Sequence, residues 1–315
     1  MSITALLIST ALLGRQGTET VATINGETLT AKNYYRRMEY LPGLGRRLST
    51  GQFIEIMPAI ATLDAIVTET LLLQIAASKG LTPSEQEIDQ EVAYRVRKNS
   101  SYISDWQLVG RTMPELRHMI KVERAQFKIQ TEGIVVTESD IQNNYNGAKS
   151  SRYTIPPRVK LKVIIVNDAE SKAKVDNGFK AGKSFENLAT EFSTDPSKAL
   201  GGDFGVIPLD LLGDEVKAAI KTMKPGDRTA WIGKEGIFAK FQVDAMLPQA
   251  IVPLDGDVKE DLRREMMIIR GQGKVNMGNL IREARQNAKI SITSPEIDKA
   301  YKQFVDLEKL AKSGG

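Results

Sequence analysis

The chain has 315 residues, no cysteine, one histidine, and 43 basic against 39 acidic side chains. Without cysteine, disulfides, thiolate zinc sites, iron–sulfur clusters and a cysteine nucleophile are excluded. With His118 as the one histidine, multi-histidine sites are excluded too, and we expect no metal site. The length suits two or three domains. Because basic residues are interleaved with acidic ones and the net charge is only +4, mixed solvated surfaces are favoured over a nucleic-acid partner.

Residues 3–13 are an apolar run that fits the hydrophobic region of a signal peptide and is too short to span a bilayer. No basic residue precedes the run and no clear small-residue cleavage site follows it, so an ordinary first helix explains it equally well. We therefore expect residues 1–17 to be either a signal or an apolar N-terminal segment. A lipid anchor on cysteine is excluded, because the chain has no cysteine.

The first half of the chain predicts an all-α module preceded by one short strand. Three of its helices start at an N-cap residue followed three positions later by an acidic residue: Thr82 with Glu85, Thr112 with Glu115, and Thr137 with Asp140. We expect the strand at 21–25, a proline- and glycine-rich loop at 41–51, and helices at 31–40, 60–79, 83–98, 113–130 and 137–145.

Pro156-Pro157 marks a change to a mixed pattern. The expected order is strand 159–166, helices 169–181 and 184–192, a loop at 193–205, a helix at 211–221, and a hairpin of strands 229–232 and 237–243. This order is typical of a small α+β domain. A linker at 248–253 then leads to helices at 257–271 and 275–288, a short strand at 289–292 and a last helix from Pro295.

Three motifs in the second half carry a family resemblance. They are Phe185-x-x-Leu188-Ala189, Ser193-x-Asp195-Pro196-Ser197 and Gly201-Gly202-Asp203-Phe204-Gly205. At these spacings, the segment resembles a parvulin, the PpiC-type peptidyl-prolyl cis/trans isomerase domain. The flanking segments resemble the SurA/PrsA-type extracytoplasmic chaperones, at 21–30, 80–82, 135–141 and 280–290. The resemblance covers nearly the whole chain.

The resemblance implies an α+β protein with a helical N- and C-terminal chaperone lobe and an inserted parvulin-like domain, a small antiparallel sheet flanked by helices. It predicts a SurA-N-like helical domain over 18–155 and the parvulin-like domain over 156–247. The C-terminal helical segment, 248–315, would pack on the N-terminal lobe. The family also implies an extracytoplasmic location, in the periplasm or cell envelope, and the lack of cysteine excludes a lipoprotein.

Parvulins are understood to rotate the X-Pro bond without a cofactor, so we expect none here. Their site combines two facing histidines with a cysteine or aspartate. Laid on this chain, the histidine positions fall on Val163 and on Phe238, the second with an uncertainty of one residue. The cysteine-or-aspartate position falls on Asp195, the candidate catalytic residue. Asp195 fits an Asp-Pro turn starter equally well.

The proline-pocket positions of the family fall on Phe204, Leu212 and Val216. Together with Val163 and Phe238, they are the predicted substrate-binding residues. Apolar side chains at the pocket positions either line a groove or extend the domain core. The loop after strand 159–166 lacks the basic residues of phosphate-directed parvulins, so phosphoserine specificity is not expected.

Losing both histidines affects catalysis more than binding. The favoured hypothesis is a folding chaperone that binds unfolded or extended client polypeptides, proline-containing ones among them, with isomerase activity that is weak or lost. The first alternative is an active prolyl isomerase that uses Asp195 and the apolar pocket. The second is a dedicated assembly scaffold with one partner. Dimerisation is left open, and His118 is interpreted as an ordinary surface or interface residue of the N-terminal lobe.

Overall fold

The computed structural model describes residues 17–40, 45–47, 53–233 and 236–313. They divide into two compact units. The first unit combines the chain up to Val135 with the chain from Arg264 onward, and the second is the segment Val136–Arg263. The predicted signal or apolar segment, 1–17, lies outside the described residues except for Gly17.

The described helices are α1 (Ala31–Met38), α2 (Pro58–Ser78), α3 (Glu85–Lys98), α4 (Tyr102–Leu108), α5 (Met113–Gln130), α6 (Glu138–Gly147), α7 (Lys149–Arg152), α8 (Ala169–Lys180), α9 (Phe185–Phe192), α10 (Asp214–Ile220), α11 (Gly256–Gln272), α12 (Met277–Asn287) and α13 (Pro295–Ser313). The strands are β1 (Thr20–Ile24), β2 (Glu27–Thr30), β3 (Gly45–Arg47), β4 (Phe53–Glu55), β5 (Thr154–Ile155), β6 (Arg158–Val166), β7 (Asp203–Pro208), β8 (Phe238–Leu247), β9 (Ala250–Ile251) and β10 (Ile290–Ile292). Helices combined with small antiparallel sheets confirm the predicted α+β class.

In the first unit, β1 pairs antiparallel with both β2 and β10, so a strand from near the end of the chain completes a sheet begun near its start. Ala22 and Ile24 of β1 are buried in one core with Leu63 and Val67 of α2. Tyr301 of α13 belongs to the same core. The two ends of the described chain therefore share apolar contacts that neither would make alone.

Helix α2 is the central element of the first unit. Besides the core under the sheet, it supplies Leu72 and Ala76 to a second cluster with Ala125 and Ile129 of α5. By length and composition alone, α2 is the one helix among the described residues that could cross a membrane, with a mean hydropathy of 1.5. Its contacts with two cores account for this apolar composition.

Two helix starts have the predicted capping boxes, with Thr112 and Glu115 at α5 and with Thr137 and Asp140 at α6. The predicted box at α3 is wrong. Ser84, not Thr82, caps this helix, and its hydroxyl accepts the N–H of Glu87 at 3.2 Å. The N–H of Leu81 still donates to the carbonyl of Ala76 at the end of α2, at 2.7 Å, so the new helix starts two residues later than predicted.

The predicted loop at 41–51 contains a strand, so that prediction is wrong for residues 45–47. This strand, β3, pairs antiparallel with β4. Proline and glycine favour a loop here, but the adjacent Phe53-Ile54 has high β-propensity and supplies a pairing partner. Residues 41–44 and 48–51 lie outside the described residues.

The second unit is built on an antiparallel sheet in the order β7-β6-β8. The central strand β6 is buried on both sides. On one side, Ile164 and Val166 pack with α8 and α9, and we call this the α8/α9 face. On the other, Val159, Leu161 and Val163 pack with α10, and we call this the α10 face.

Two details of this unit differ from the prediction. Strand β7 begins at Asp203, inside the predicted loop at 193–205. The sequence did not predict this strand because it contains Gly205, with φ +86°, and ends at Pro208, and both residue types are unfavourable in strands. Residues 229–232 were expected to form a strand, but they contribute a single bridge, from Ile232 to Ala239. Residues 234–235, at the expected hairpin tip, lie outside the described residues.

The second unit extends beyond the segment 156–247 expected for the parvulin-like domain. Strand β5 pairs antiparallel with β9. Tyr145, Tyr153 and Leu262 share a small core, and Tyr145 donates to the carbonyl of Val252 at 2.5 Å. The segments on either side of the three-stranded sheet are thus joined to each other.

Candidate functional site

The loop between α9 and β7 carries Asp195. Its Oδ1 accepts the N–H of Ser197 at 2.8 Å, so Asp195 caps the 3₁₀ turn Pro196–Leu200. Its own N–H donates to the Ser193 hydroxyl at 3.2 Å, and that buried hydroxyl also accepts from the N–H of Ile165 at 3.1 Å. The carboxylate therefore starts the turn, and the turn is tied to β6.

Gly202 holds the end of the same loop against β6. Its carbonyl accepts the N–H of Val163 at 2.8 Å. Its φ is +83°, and a Cβ built there would lie 2.6 Å from the carbonyl oxygen of Val163 and 2.9 Å from the Cβ of Ala189. Only glycine meets both requirements, so backbone geometry explains this residue.

Four predicted substrate-binding residues come together on the α10 face. Leu212 and Val216 are partly buried against the cluster that contains Val163, which is itself completely buried. The Phe204 ring lies 6.4 Å from the Phe241 ring, edge-on at 64°, and Phe204 is 42% exposed. We call Phe204, Leu212, Val216 and Phe241 the apolar pocket. It offers an accessible aromatic edge above a closed core.

Phe238 is not part of this group. It pairs with Val166 and packs on the α8/α9 face, whereas Val163 pairs with Phe241 and faces α10. Val163 and Phe238, on which the resemblance lays the two histidine positions, thus lie on opposite faces of the sheet. Ala239, within the one-residue uncertainty, does pack on the α10 face, but it has no polar group.

Phe241 was missed by the prediction of the site. The available signal was the alternation of apolar residues along 237–243, which places Phe241 on one face of β8. That pattern predicts burial but does not distinguish a pocket wall from a core residue. The distinction depends on Phe204, which reaches Phe241 from the edge strand β7.

His118 lies in the first unit, on α5. Its Nε2 is 3.2 Å from a carboxylate oxygen of Glu69, and its side chain is 48% exposed. This placement agrees with an ordinary surface residue. In the described part of the chain, no group of three or more His, Cys, Asp or Glu side chains is placed to hold a metal ion.

Two family models match this chain. A SurA-like N-terminal domain matches residues 2–97, and a PPIC-type PPIase domain matches residues 167–239. The chain is a SurA/PrsA-type protein with a parvulin domain. The second match includes Asp195, Phe204, Leu212 and Val216, so most of the apolar pocket lies within it.

Several curated proteins are similar to this chain. YacD of Bacillus subtilis (strain 168), named for peptidyl-prolyl cis-trans isomerase activity, is 25% identical over 272 residues, which are 84% of each chain. The foldase protein PrsA of the same organism is 30% identical over 169 residues, 53% of this chain and 54% of PrsA. The chaperone SurA of Chromobacterium violaceum is 24% identical over 264 residues, 72% of this chain and 61% of SurA.

Proposed function

We propose that this SurA/PrsA-type protein is a folding chaperone that binds extended apolar segments of client polypeptides, proline-containing ones among them, and that its isomerase activity is weak or lost. One contrast carries the proposal. Phe204, Leu212, Val216 and Phe241 lie together on the α10 face, whereas Val163 and Phe238 or its neighbour Ala239, on which the resemblance lays the two histidine positions, have no hydrogen-bonding side chain.

An isomerase has to bind the twisted X-Pro amide more tightly than either planar form. The uncatalysed barrier is about 18–20 kcal/mol, and preorganised hydrogen-bonding groups lower such barriers most effectively. Val163 and Phe238 have neither donors nor acceptors in their side chains. The Asp195 carboxylate already accepts the N–H of Ser197. These features support binding more than catalysis.

The apolar pocket supports binding because it removes client surface from water. Burial of apolar surface is worth roughly 25 cal/mol per Å², so one inserted side chain gives weak, reversible capture. The first unit adds exposed apolar residues for further contacts. Leu108 is 86% and Val109 59% exposed, directly at the end of α4, while Val135 is 74% and Ile269 61% exposed. Several weak contacts favour transient binding of unfolded chains.

We infer that the protein acts outside the cytoplasm, in the periplasm or cell envelope. The membership of its relatives in the extracytoplasmic SurA/PrsA-type group supports this inference. Client polypeptides there are extended and expose apolar segments before they fold. A reversible binder in that compartment limits aggregation by lowering the concentration of free unfolded chains.

Light scattering from an unrelated, aggregating client tests the binding function. We expect the wild type to suppress aggregation and Phe204→Ala to suppress it less, because the substitution removes the exposed edge of the pocket. Ile251→Ala is the matched control, since Ile251 is an apolar residue of the same unit, 48% exposed and outside the pocket. Aggregation unaffected by the wild type would contradict the proposal and favour the dedicated assembly scaffold.

A further inference from the structure

Three cations meet aromatic rings on the α8/α9 face of the sheet. Lys240 lies on β8, Lys172 on α8, and Arg228 in the segment before β8. We call these three residues the cation cluster. The Nζ of Lys240 is 4.9 Å and the Nζ of Lys172 is 5.9 Å from the centre of the Trp231 ring. The Arg228 guanidinium is 4.2 Å from the centre of the Phe179 ring.

The cation cluster has little compensating negative charge. The acidic residue beside it is Asp176, and both of its carboxylate oxygens accept the indole N–H of Trp231, at 2.9 and 3.1 Å. In the described part of the chain, none of the three cations forms an ion pair. Three positive charges therefore face one carboxylate that is already engaged.

The environment of Lys240 shows that the excess positive charge is energetically unfavourable. It is partly buried, and its Nζ donates to the carbonyl of Thr229 at 3.0 Å. Burial lowers the pKa of Lys240. The positive charges of Arg228 and Lys172 lower this pKa further, whereas the negative charge of Asp176 raises it. An anion brought to this point would relieve both the desolvation and the mutual repulsion.

We propose that the cation cluster binds acidic side chains of the client polypeptide, as a second site on the face of the sheet opposite the apolar pocket. This inference rests on the proposed function. Glutamate or aspartate carboxylates match the cluster, because their oxygens accept charge-assisted hydrogen bonds from lysine and arginine side chains.

A nucleic acid fits the cluster less well. Binding a nucleic-acid backbone requires a run of phosphate contacts, and single-stranded bases stack on free aromatic faces. Here the Trp231 ring has both Lys172 and Lys240 over it, and the Phe179 ring has Arg228 over it. A base that stacked on these rings where the cations lie would have to displace them. The low net charge of the chain, +4, also gives no extended basic track.

Two sites on one small unit would select among clients. An extended client segment with an apolar residue in the pocket and acidic residues farther along could engage both faces, provided that it passes around the edge of the sheet. The second contact would then be intramolecular and would raise the overall affinity without a larger pocket. Clients with apolar and acidic stretches in one segment would be preferred.

Trp231 provides a direct probe of the cation cluster. The chain has two tryptophans, so Trp106→Phe in the full-length protein leaves Trp231 as the reporter. We expect a hexaglutamate peptide to change Trp231 fluorescence saturably and a hexaglutamine peptide to have no effect. The double variant Lys172→Gln/Arg228→Gln should bind hexaglutamate roughly tenfold more weakly.

The matched control is Lys174→Gln/Lys180→Gln, which removes the same net charge from α8 at exposed positions outside the cluster. Its hexaglutamate affinity should equal that of the parent. Equal losses in both double variants, equal binding of hexaglutamine, or tighter binding of a single-stranded oligonucleotide would overturn the proposal. Far-ultraviolet circular dichroism identifies a variant that fails to fold, and Lys172→Gln alone then provides the comparison.

The same experiment separates this inference from the proposed function. Aggregation suppressed by a protein that does not bind hexaglutamate overturns the acidic site and leaves the chaperone function standing. Hexaglutamate bound by a protein that does not suppress aggregation supports the site and contradicts the chaperone function.

Discussion

The two faces of the β7-β6-β8 sheet have different chemistry. Along β8, Phe238 and Lys240 point to the α8/α9 face, while Ala239 and Phe241 point to the α10 face. The α10 face therefore has an apolar pocket with one exposed aromatic edge, and the α8/α9 face has cations over aromatic rings. The same strand, β8, contributes side chains to both faces, because successive side chains of a strand point to opposite sides of the sheet.

Under the proposed function, this difference accounts for a parvulin domain that binds clients without the two histidines of the family. Val163 and Phe238, on which the resemblance lays the histidine positions, pack into the two cores. These two side chains add to burial on both sides of the sheet. The residues predicted to form the proline pocket, Phe204, Leu212 and Val216, lie together on the α10 face.

Gly202→Ala should have the largest effect, because the loop between α9 and β7 depends on this residue. The added Cβ would lie 2.6 Å from the Val163 carbonyl oxygen, in backbone with φ +83°. We expect the free energy of unfolding to fall by about 3 kcal/mol or more. Urea unfolding followed by Trp231 fluorescence in the Trp106→Phe protein measures it.

Gly182→Ala is the control for that substitution. Its φ is +81°, but nothing lies within 4 Å of the added Cβ. Only the conformational cost remains, about 1 kcal/mol. If the two variants lost the same stability, contact with β6 would not be what fixes the loop.

Leu188→Ala and Phe204→Ala compare the core of one face with the pocket of the other. Leu188 is completely buried, so its truncation should cost about 3 kcal/mol of unfolding free energy. Phe204 is 42% exposed, and its truncation should cost less than about 1 kcal/mol.

Binding of an apolar, proline-containing peptide should weaken only in Phe204→Ala. Fluorescence anisotropy of a labelled peptide measures this binding. Wild-type affinity in both variants would contradict a binding role for the apolar pocket.

Asp195→Ala tests whether the aspartate acts as a cap. Removing a side chain that accepts the N–H of Ser197 should lower the free energy of unfolding by about 1 kcal/mol. Asp195→Asn should retain most of that stability, because its amide oxygen can accept the same hydrogen bond. The urea midpoints of the wild type, Asp195→Ala and Asp195→Asn measure these differences in stability. An Asn variant as unstable as the Ala variant would contradict the capping role.

Lys240→Met should have the smallest effect on the free energy of unfolding, and the sign of this effect shows whether the partly buried lysine stabilises or destabilises the fold. Burial places the pKa of Lys240 below its ordinary 10.5, so the folded protein binds fewer protons than the unfolded chain between the two values. Stability then rises with pH in that window, and at neutral pH the cation is a cost.

The Lys240→Met protein should therefore be more stable than the wild type at pH 7, by roughly a few tenths of a kcal/mol after solvent screening. The advantage should shrink as the pH approaches 10. Lys174→Met serves as the exposed control. Urea unfolding between pH 7 and 10 provides the measurement, and a destabilised Lys240→Met at pH 7 would show that the lysine is not held at a cost.

Much of the site could be predicted from the sequence because its motifs have fixed spacing. Phe204, Leu212 and Val216 were placed together by resemblance, and the structure brings them together on one face. The turn-starting role of Asp195 follows from the Asp-Pro-Ser sequence alone. Local rules were sufficient where the relevant partners lie within a few residues.

The remaining features depend on contacts between distant segments. Strand β7 carries glycine and proline and forms only because β6 pairs with it. The cation cluster joins Lys172, Arg228 and Lys240 from three separate parts of the second unit, so no local pattern indicates it. The separation of Val163 from Phe238 required the register of β6 against β8.

The central claim is that binding survives in the parvulin unit while isomerase activity is weak or lost. Proline-limited refolding of an unrelated protein tests it most directly, because uncatalysed X-Pro isomerisation takes tens of seconds and is easily followed. We predict that substoichiometric wild type leaves the rate of the slow phase nearly unchanged, as Asp195→Ala does. A slow phase accelerated by the wild type and restored to its uncatalysed rate by Asp195→Ala would contradict the account.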